Sequence, residues 1–148
     1  MLIIKQLFLI NFHRTHVILT EQYKQALLNA ILLNNYCNKH GITLTFVGHS
    51  LGGGMAALAS MVTKRTAITY NPAGAFGIEM TAAKMLGIPL DTSHIYAYII
   101  KGDPIHFVND FTGNPSQGRV IYVQNNESLL RNFLTGHFIS SMIDGLKQ

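Results

Sequence analysis

The sequence is poor in cysteine and in charged residues. Among its 148 residues there is one cysteine, Cys37, which excludes an intrachain disulfide and argues against a cysteine-based zinc site. Charged residues make up only 12%, and the basic residues behind the formal net charge of +4 are scattered along the chain. Because nucleic-acid binding usually depends on a basic stripe or patch, we expect no nucleic-acid partner. Weak contact with an anionic membrane surface is compatible with this charge.

Long apolar runs are absent as well. No stretch approaches the roughly 18 apolar residues that indicate a membrane span. The apolar segment 1–12 leads into polar residues from Asn11 rather than into the small residues of a cleavage site, so we do not interpret it as a signal peptide. A cytoplasmic location is then the default expectation. The length, with no internal repeat, predicts a single domain over residues 1–148.

Apolar, β-prone segments alternate along the chain with helix-prone segments. Strands are expected at Leu2–Phe12, Thr43–Val47, Thr66–Tyr70, His94–Ile100 and Arg119–Val123. Helical segments are expected at about 20–38, 51–63, 128–134 and 138–147, with a helix, lid or cap at about 74–87. Strands separated by helices predict an α/β fold with a mostly parallel sheet flanked by helices.

One glycine-rich turn stands out between a predicted strand and a predicted helix. Its residues, Gly48-His49-Ser50-Leu51-Gly52, fit the G-x-S-x-G pattern of the nucleophile elbow in α/β hydrolases. Such a turn holds the serine in a strained backbone conformation, and we expect Gly48 and Gly52 to be required because side chains there would collide with it. The N–H of Leu51 is a predicted oxyanion donor, and His49 is expected to pack beside the turn. A phosphate-binding loop is the alternative, but no Gly-Lys-Ser/Thr sequence follows.

A serine hydroxyl becomes an effective nucleophile only with a base, and that base needs a carboxylate to orient it. In α/β hydrolases the acid follows the serine in the chain and the histidine comes last. Asp103 comes just after the strand His94–Ile100, and sites in parallel sheets form at the carboxyl ends of strands. Asp103 is therefore the predicted acid, with Asp110 as the second choice.

Three histidines lie downstream of Ser50. His137 follows the last predicted strand and precedes the closing helix, which leaves its ring free to reach the serine. His106 is too near Asp103 in the chain to reach much farther, and His94 begins a strand at the opposite end of the sheet. His137 is therefore the predicted base, and the chemistry requires neither a metal nor an organic cofactor.

Gly48-His49-Ser50-Leu51-Gly52-Gly53 resembles the GHSLGG signature of the class 3 lipases and their phospholipase-like relatives. Further segments are similar to the same family: Tyr70–Gly74, Gly102–Ile105 and Gly136–Phe138. The resemblance covers residues 21–148 and implies an α/β-hydrolase-like serine esterase that cleaves lipid carboxylic esters through an acyl-enzyme. It assigns Ser50 as the nucleophile, His137 as the base and Asp103 as the acid.

The chain departs from that family at its front. Family members carry an extra strand that ends in a motif like Phe-Arg-Gly-Thr, whose loop supplies a second oxyanion donor. Here 49 residues precede Ser50, and the segment Asn11–Thr15 matches that motif only in part and lacks its glycine. Three interpretations stay open: a compact hydrolase, a truncated chain lacking N-terminal strands, and one part of an assembly.

A sheet that lacks strands has an open edge, which tends to pair with another chain. The resemblance implies a lipid or other ester substrate as one partner. Where strands are missing, the expected further partner is a second chain, either another copy or a different protein, that completes the sheet. The alternative function is a catalytically silent, hydrolase-like interaction module.

Overall fold

The computed structural model describes the backbone of residues 2–74, 90–113 and 115–147. It describes the side chains of residues 21–74, 90–113, 115–128, 131, 132 and 134–147. Over these ranges the elements follow in the order α1 (Leu2–His40), β1 (Thr45–His49), α2 (Leu51–Thr63), β2 (Thr66–Tyr70), β3 (Ile95–Ile100), α3 (Pro104–Phe111), β4 (Arg119–Val123), α4 (Leu129–Thr135) and α5 (Ile139–Leu146). The helix, lid or cap expected at 74–87 lies, apart from Gly74, outside the described residues.

The four strands form one parallel sheet in the order β1-β2-β3-β4. The register places Val47 of β1 beside Ile68 of β2, and Tyr98 of β3 beside Ile121 of β4. The predicted parallel α/β architecture is thereby confirmed. Because all four strands run the same way, the segments that follow them meet at one edge of the sheet.

Two groups of buried side chains fix the helices on this sheet. The larger one joins α1 and α2 to the strands and contains Tyr23, Ala57, Leu58, Met61, Ala67 and Ile95. The smaller one consists of Ile100, Val123 and Met142, and it seats α5 against β3 and β4. The two groups hold the start of α2 and the start of α5 near the carboxyl ends of the strands.

The first 40 residues differ from the sequence-based expectation. The predicted strand Leu2–Phe12 is wrong, because α1 runs without interruption from Leu2 to His40. No glycine or proline occurs in this stretch, and a short apolar run does not distinguish a strand from a helix. The helix stops at Gly41, whose φ of 66° suits glycine. The segment Asn11–Thr15 therefore lies inside a helix and not in a loop after a strand.

No helix within the described part of the chain is long and apolar enough to cross a membrane.

Candidate active site

Ser50 occupies the tight turn between β1 and α2. Its φ of 55° and ψ of −124° lie in a region that residues with a side chain rarely adopt. The Ser50 N–H donates to the carbonyl of Tyr70 (3.0 Å), and the Ser50 carbonyl accepts from the N–H groups of Gly54 (3.1 Å) and Ala73 (2.9 Å). Strand β2 and the segment after it therefore hold this strained turn in place.

The glycines around the turn are not equally constrained. A Cβ atom on Gly48 would lie 2.1 Å from the carbonyl oxygen of Gly52, in agreement with the expectation for that position. The expectation for Gly52 is wrong, because a Cβ atom there would meet nothing within 4 Å. The close contacts fall instead on Gly53, against Pro72 at 2.9 Å, and on Gly54, against the hydroxyl of Tyr23 at 2.1 Å. The turn is therefore confined by its own backbone, by Pro72 shortly after β2, and by Tyr23 of α1.

His137 lies in the short link between α4 and α5, and its ring bridges the other two predicted site residues. Its Nε2 atom is 2.7 Å from the Oγ atom of Ser50, and its Nδ1 atom is 2.9 Å from an Oδ atom of Asp103. A carboxylate only accepts hydrogen bonds, so Nδ1 carries the proton and Nε2 accepts from the serine hydroxyl. The three side chains are thus joined by one continuous hydrogen-bond chain.

Asp103 is held by the start of α3 as well as by the histidine. It is the N-cap of this helix, and its second carboxylate oxygen accepts from the backbone N–H of His106 (2.9 Å). The Asp103 side chain is fully buried, whereas 25% of the His137 side chain is exposed. The positive end of the helix favours the carboxylate. Helix α3 was not predicted from the sequence, although an aspartate followed by a proline is a common helix start.

The second-choice acid, Asp110, and the two histidines rejected as the base lie elsewhere. The ring of His106 contacts the hydroxyl of Tyr122 (3.1 Å) and the carboxylate of Asp110 (3.6 Å). His94 faces Asp91 at 3.6 Å in an exposed pair before β3. The structure therefore brings together the first-choice acid and base, and it pairs Asp110 with a different histidine.

Leu51 is the first residue of α2, where N–H groups have no acceptor within the helix. Its N–H is the predicted oxyanion donor, and that role stays a prediction. Among the described residues, no group of three or more histidine, cysteine, aspartate and glutamate side chains is placed to hold a metal ion.

Two polar side chains that were not predicted from the sequence contact the link carrying His137. His49 lies with its Nε2 atom 2.7 Å from the carbonyl oxygen of His137. Asn71, directly after β2, donates from Nδ2 to the carbonyl of Gly136 (2.8 Å) and accepts at Oδ1 from the N–H of Ile100 (2.9 Å). The available signal was their position, since each ends or directly follows a parallel strand at the edge where Ser50 lies.

A second asparagine holds the segment after β2 in place. Asn109 of α3 donates to the carbonyl of Pro72 (2.9 Å) and accepts from the N–H of Gly74 (3.0 Å). This segment includes Ala73, whose N–H supports the Ser50 carbonyl. Asn109 therefore supports the serine turn indirectly, by holding the segment that bonds to Ser50.

The chain is similar to known phospholipases in part of its sequence. The extracellular phospholipase A1 of Serratia liquefaciens is 40% identical to it over 70 residues, which cover 43% of this chain and 21% of that protein. The match thus spans about a fifth of the relative's length. The family model for the phospholipase-like family, described as the Tle-like phospholipase domain, matches residues 8–142. In agreement with the resemblance of its GHSLGG segment, this chain belongs to the phospholipase-like family, as a Tle-like phospholipase domain.

Proposed function

We propose that this chain hydrolyses carboxylic esters of lipids, with phospholipids as the main substrate class, through a catalytic triad of Ser50, His137 and Asp103. The observation that carries the proposal is the hydrogen-bond chain from the buried Asp103 carboxylate through the His137 ring to the Ser50 hydroxyl. The family and the relative named a phospholipase A1 support the choice of lipid esters.

In the first half of the reaction, the Ser50 oxygen attacks the ester carbonyl carbon. His137 Nε2 takes the hydroxyl proton as the bond forms, and the Asp103 carboxylate stabilises the resulting imidazolium. The carbonyl oxygen becomes an oxyanion, which the Leu51 N–H at the start of α2 stabilises. The intermediate then collapses, His137 returns the proton to the leaving alcohol, and the acyl group stays on Ser50 as an ester.

In the second half, water replaces the alcohol. His137 takes a proton from the water as its oxygen attacks the acyl-enzyme carbonyl. Collapse of this second intermediate breaks the bond to Ser50, whose oxygen recovers its proton from His137. The products are a fatty acid and the regenerated serine.

The test of the activated serine is covalent labelling with a fluorophosphonate probe, which reacts with activated serine hydroxyls. We expect the purified chain to be labelled, and Ser50→Ala and His137→Ala to lose labelling. Both variants should keep the wild-type circular dichroism spectrum, which separates lost chemistry from lost structure. A folded wild-type protein that takes up no probe would contradict the proposal.

The test of the substrate class uses phosphatidylcholine vesicles with a labelled acyl chain at one glycerol position, and a second set labelled at the other position. We expect release of labelled fatty acid by the wild type and none by Ser50→Ala. Hydrolysis of short soluble esters without any release from either vesicle would leave an esterase and contradict the lipid assignment.

A catalytically silent interaction module is the second candidate, and the exposed side of β1 favours it. Within the described residues, β1 pairs with β2 and with no other strand, and 63% of Val47 is exposed. An apolar groove of about 320 Å³ lies beside it, lined by residues that include Leu33, Phe46 and Met55. This candidate predicts an oligomer that shows no labelling at Ser50. A monodisperse, labelled monomer in analytical ultracentrifugation would exclude it.

A further inference from the structure

The peptide groups on both sides of the His137 Cα atom are held by side chains from neighbouring strands. Asn71 donates to the carbonyl of Gly136, and His49 binds the carbonyl of His137 itself. His49 is the last residue of β1, and Asn71 directly follows β2. We propose that His49 and Asn71 are positioning residues that hold the His137 imidazole in line with the Ser50 hydroxyl. This inference rests on the proposed function, because it assigns His137 as the base.

The need for such a clamp follows from where His137 lies. Residues 136–138 separate α4 from α5, so the histidine belongs to neither helix. The link is bonded to α4 by the Gly136 N–H, which donates to the Asn132 carbonyl (2.7 Å), and by the Phe138 N–H, which donates to the Thr135 carbonyl (3.0 Å), but it is part of no strand or continuous helix. A misplacement of about 1 Å at a reacting group costs on the order of 100-fold in rate. Two hydrogen bonds to adjacent carbonyls restrict this backbone on both sides of the residue.

His49 has a defined hydrogen-bonding role. A carbonyl oxygen only accepts, so the Nε2 atom of His49 carries a proton and its N–H donates a hydrogen bond to the backbone carbonyl of His137. The two rings lie against each other, with centroids 5.0 Å apart and planes tilted by 37°. Because His49 also precedes Ser50 in the chain, it links the serine turn directly to the residue that would deprotonate the serine.

Asn71 connects the base to the acid. It is 1% exposed and has a φ of 39°, a left-handed conformation that asparagine tolerates better than most residues. Its Oδ1 atom accepts from the N–H of Ile100, and the carbonyl of Ile100 accepts from the N–H of Asp103 (3.0 Å). Through one amide group, the end of β3 that leads to Asp103 is tied to the link that carries His137.

A matched pair of substitutions at His49 tests the clamp. His49→Leu fills a similar volume without a donor, whereas His49→Gln can present an amide N–H near the position of Nε2. We expect His49→Leu to lower kcat and the fluorophosphonate labelling rate about 10- to 100-fold with KM unchanged, since a misaligned base affects the chemical step. We expect His49→Gln to recover both rates to within a few-fold of the wild type.

Asn71→Asp provides a second, independent variant. The carboxylate still accepts from Ile100, but it faces the Gly136 carbonyl with an acceptor in place of the donor. We expect a loss of labelling rate at least as large as that of His49→Leu, measured on protein with a native circular dichroism spectrum.

The outcomes separate the clamp from the proposed function. A wild-type chain that is not labelled contradicts the proposed function. A labelled wild type whose rate is unchanged in His49→Leu and Asn71→Asp contradicts the clamp alone. A His49→Gln variant as slow as His49→Leu also overturns the clamp, because the donated hydrogen bond would then not be what matters.

Discussion

The Nε2 atom of His137 lies 2.7 Å from the Oγ atom of Ser50, although 87 positions separate the two residues in the chain. The contact joins the link between α4 and α5 to the turn between β1 and α2. It forms only because the carboxyl ends of β1, β2 and β3 lie at the same end of the sheet and because α5 packs on β3 and β4. The geometry of the site therefore depends on the whole described sheet.

Asp103→Asn and Asp103→Ala separate the two bonds of this carboxylate. An asparagine can still accept from the His106 N–H and cap α3, but toward His137 it presents an N–H group. The imidazole then adopts the tautomer that cannot accept the serine proton. We expect kcat to fall on the order of 10⁴-fold in Asp103→Asn, with little change in the midpoint of thermal unfolding.

Asp103→Ala is the matched variant. It loses the helix cap as well, so we expect its free energy of unfolding in urea to fall by a further ~1 kcal/mol. An Asp103→Asn variant that keeps more than a tenth of the wild-type kcat would show that Asp103 does not orient the base.

Alanine substitutions at Gly48 and Gly52 should differ in their effect on stability. A Cβ atom at Gly48 would lie 2.1 Å from the Gly52 carbonyl oxygen, whereas one at Gly52 meets nothing within 4 Å. We expect Gly48→Ala to lower the free energy of unfolding by at least about 1–3 kcal/mol. We expect Gly52→Ala to be as stable as the wild type, because alanine favours the helix that Gly52 belongs to. Chemical denaturation of both variants checks this, and equal losses of stability would contradict it.

Asn125 and Asn132 form a reciprocal amide pair, with both N–O distances at 2.8 Å. Asn132 also donates to the carbonyl of Lys101 (3.1 Å), near the Asp103 turn. We expect Asn132→Ala to cost more than Asn125→Ala, by about 1 kcal/mol for the additional bond. The double variant should show a coupling energy of about 0.5–3 kcal/mol. Strict additivity in a double-mutant cycle measured by urea unfolding would mean that the pair does not form in solution.

Asp91 provides a control for pH profiles. Hydrogen bonds from the side chain and the backbone of Ser93 lower the pKa of this exposed carboxyl. A lowered folded-state pKa means that the deprotonated form is favoured by folding, so its contribution to stability is present above the ordinary pKa and disappears as pH falls through the lowered one. We expect Ser93→Ala to raise the pKa of Asp91, as followed by NMR titration.

The labelling rate at Ser50 should not change in Ser93→Ala. Asp91 lies before β3, at the end of the strand opposite to Asp103. A change in the pH profile of labelling in this variant would show that the two ends of the sheet are coupled.

Chain order and strand ends carried most of what could be predicted about the site. Ser50 and Asp103 follow strands that the sequence marks clearly, and His137 precedes the predicted closing helix. Parallel strands then bring them to a common edge. Their proximity follows from this topology, whereas their catalytic roles stay predictions until the serine is labelled.

The missed features depend on long-range contacts or on competing local preferences. The apolar start of α1 has no breaker until Gly41, and its pattern alone suited a strand equally well. His49 and Asn71 act on a link more than 60 residues away, and no local pattern encodes such bonds. Gly52 fits the motif, but the space around it depends on how α1 and α2 pack. Sequence patterns identify elements well, whereas these side-chain roles require the assembled fold.

At Ser50 the backbone conformation that the proposed activity needs also lowers the stability of the fold. Glycine adopts φ 55° and ψ −124° without the strain that a Cβ atom causes, so the free energy of unfolding of Ser50→Gly should be about 1 kcal/mol higher than that of Ser50→Ala. Engineering that selects for thermal resistance alone would therefore favour glycine at the position on which the proposed chemistry depends. Stabilised libraries of this protein should accordingly be sorted by turnover as well as by melting temperature.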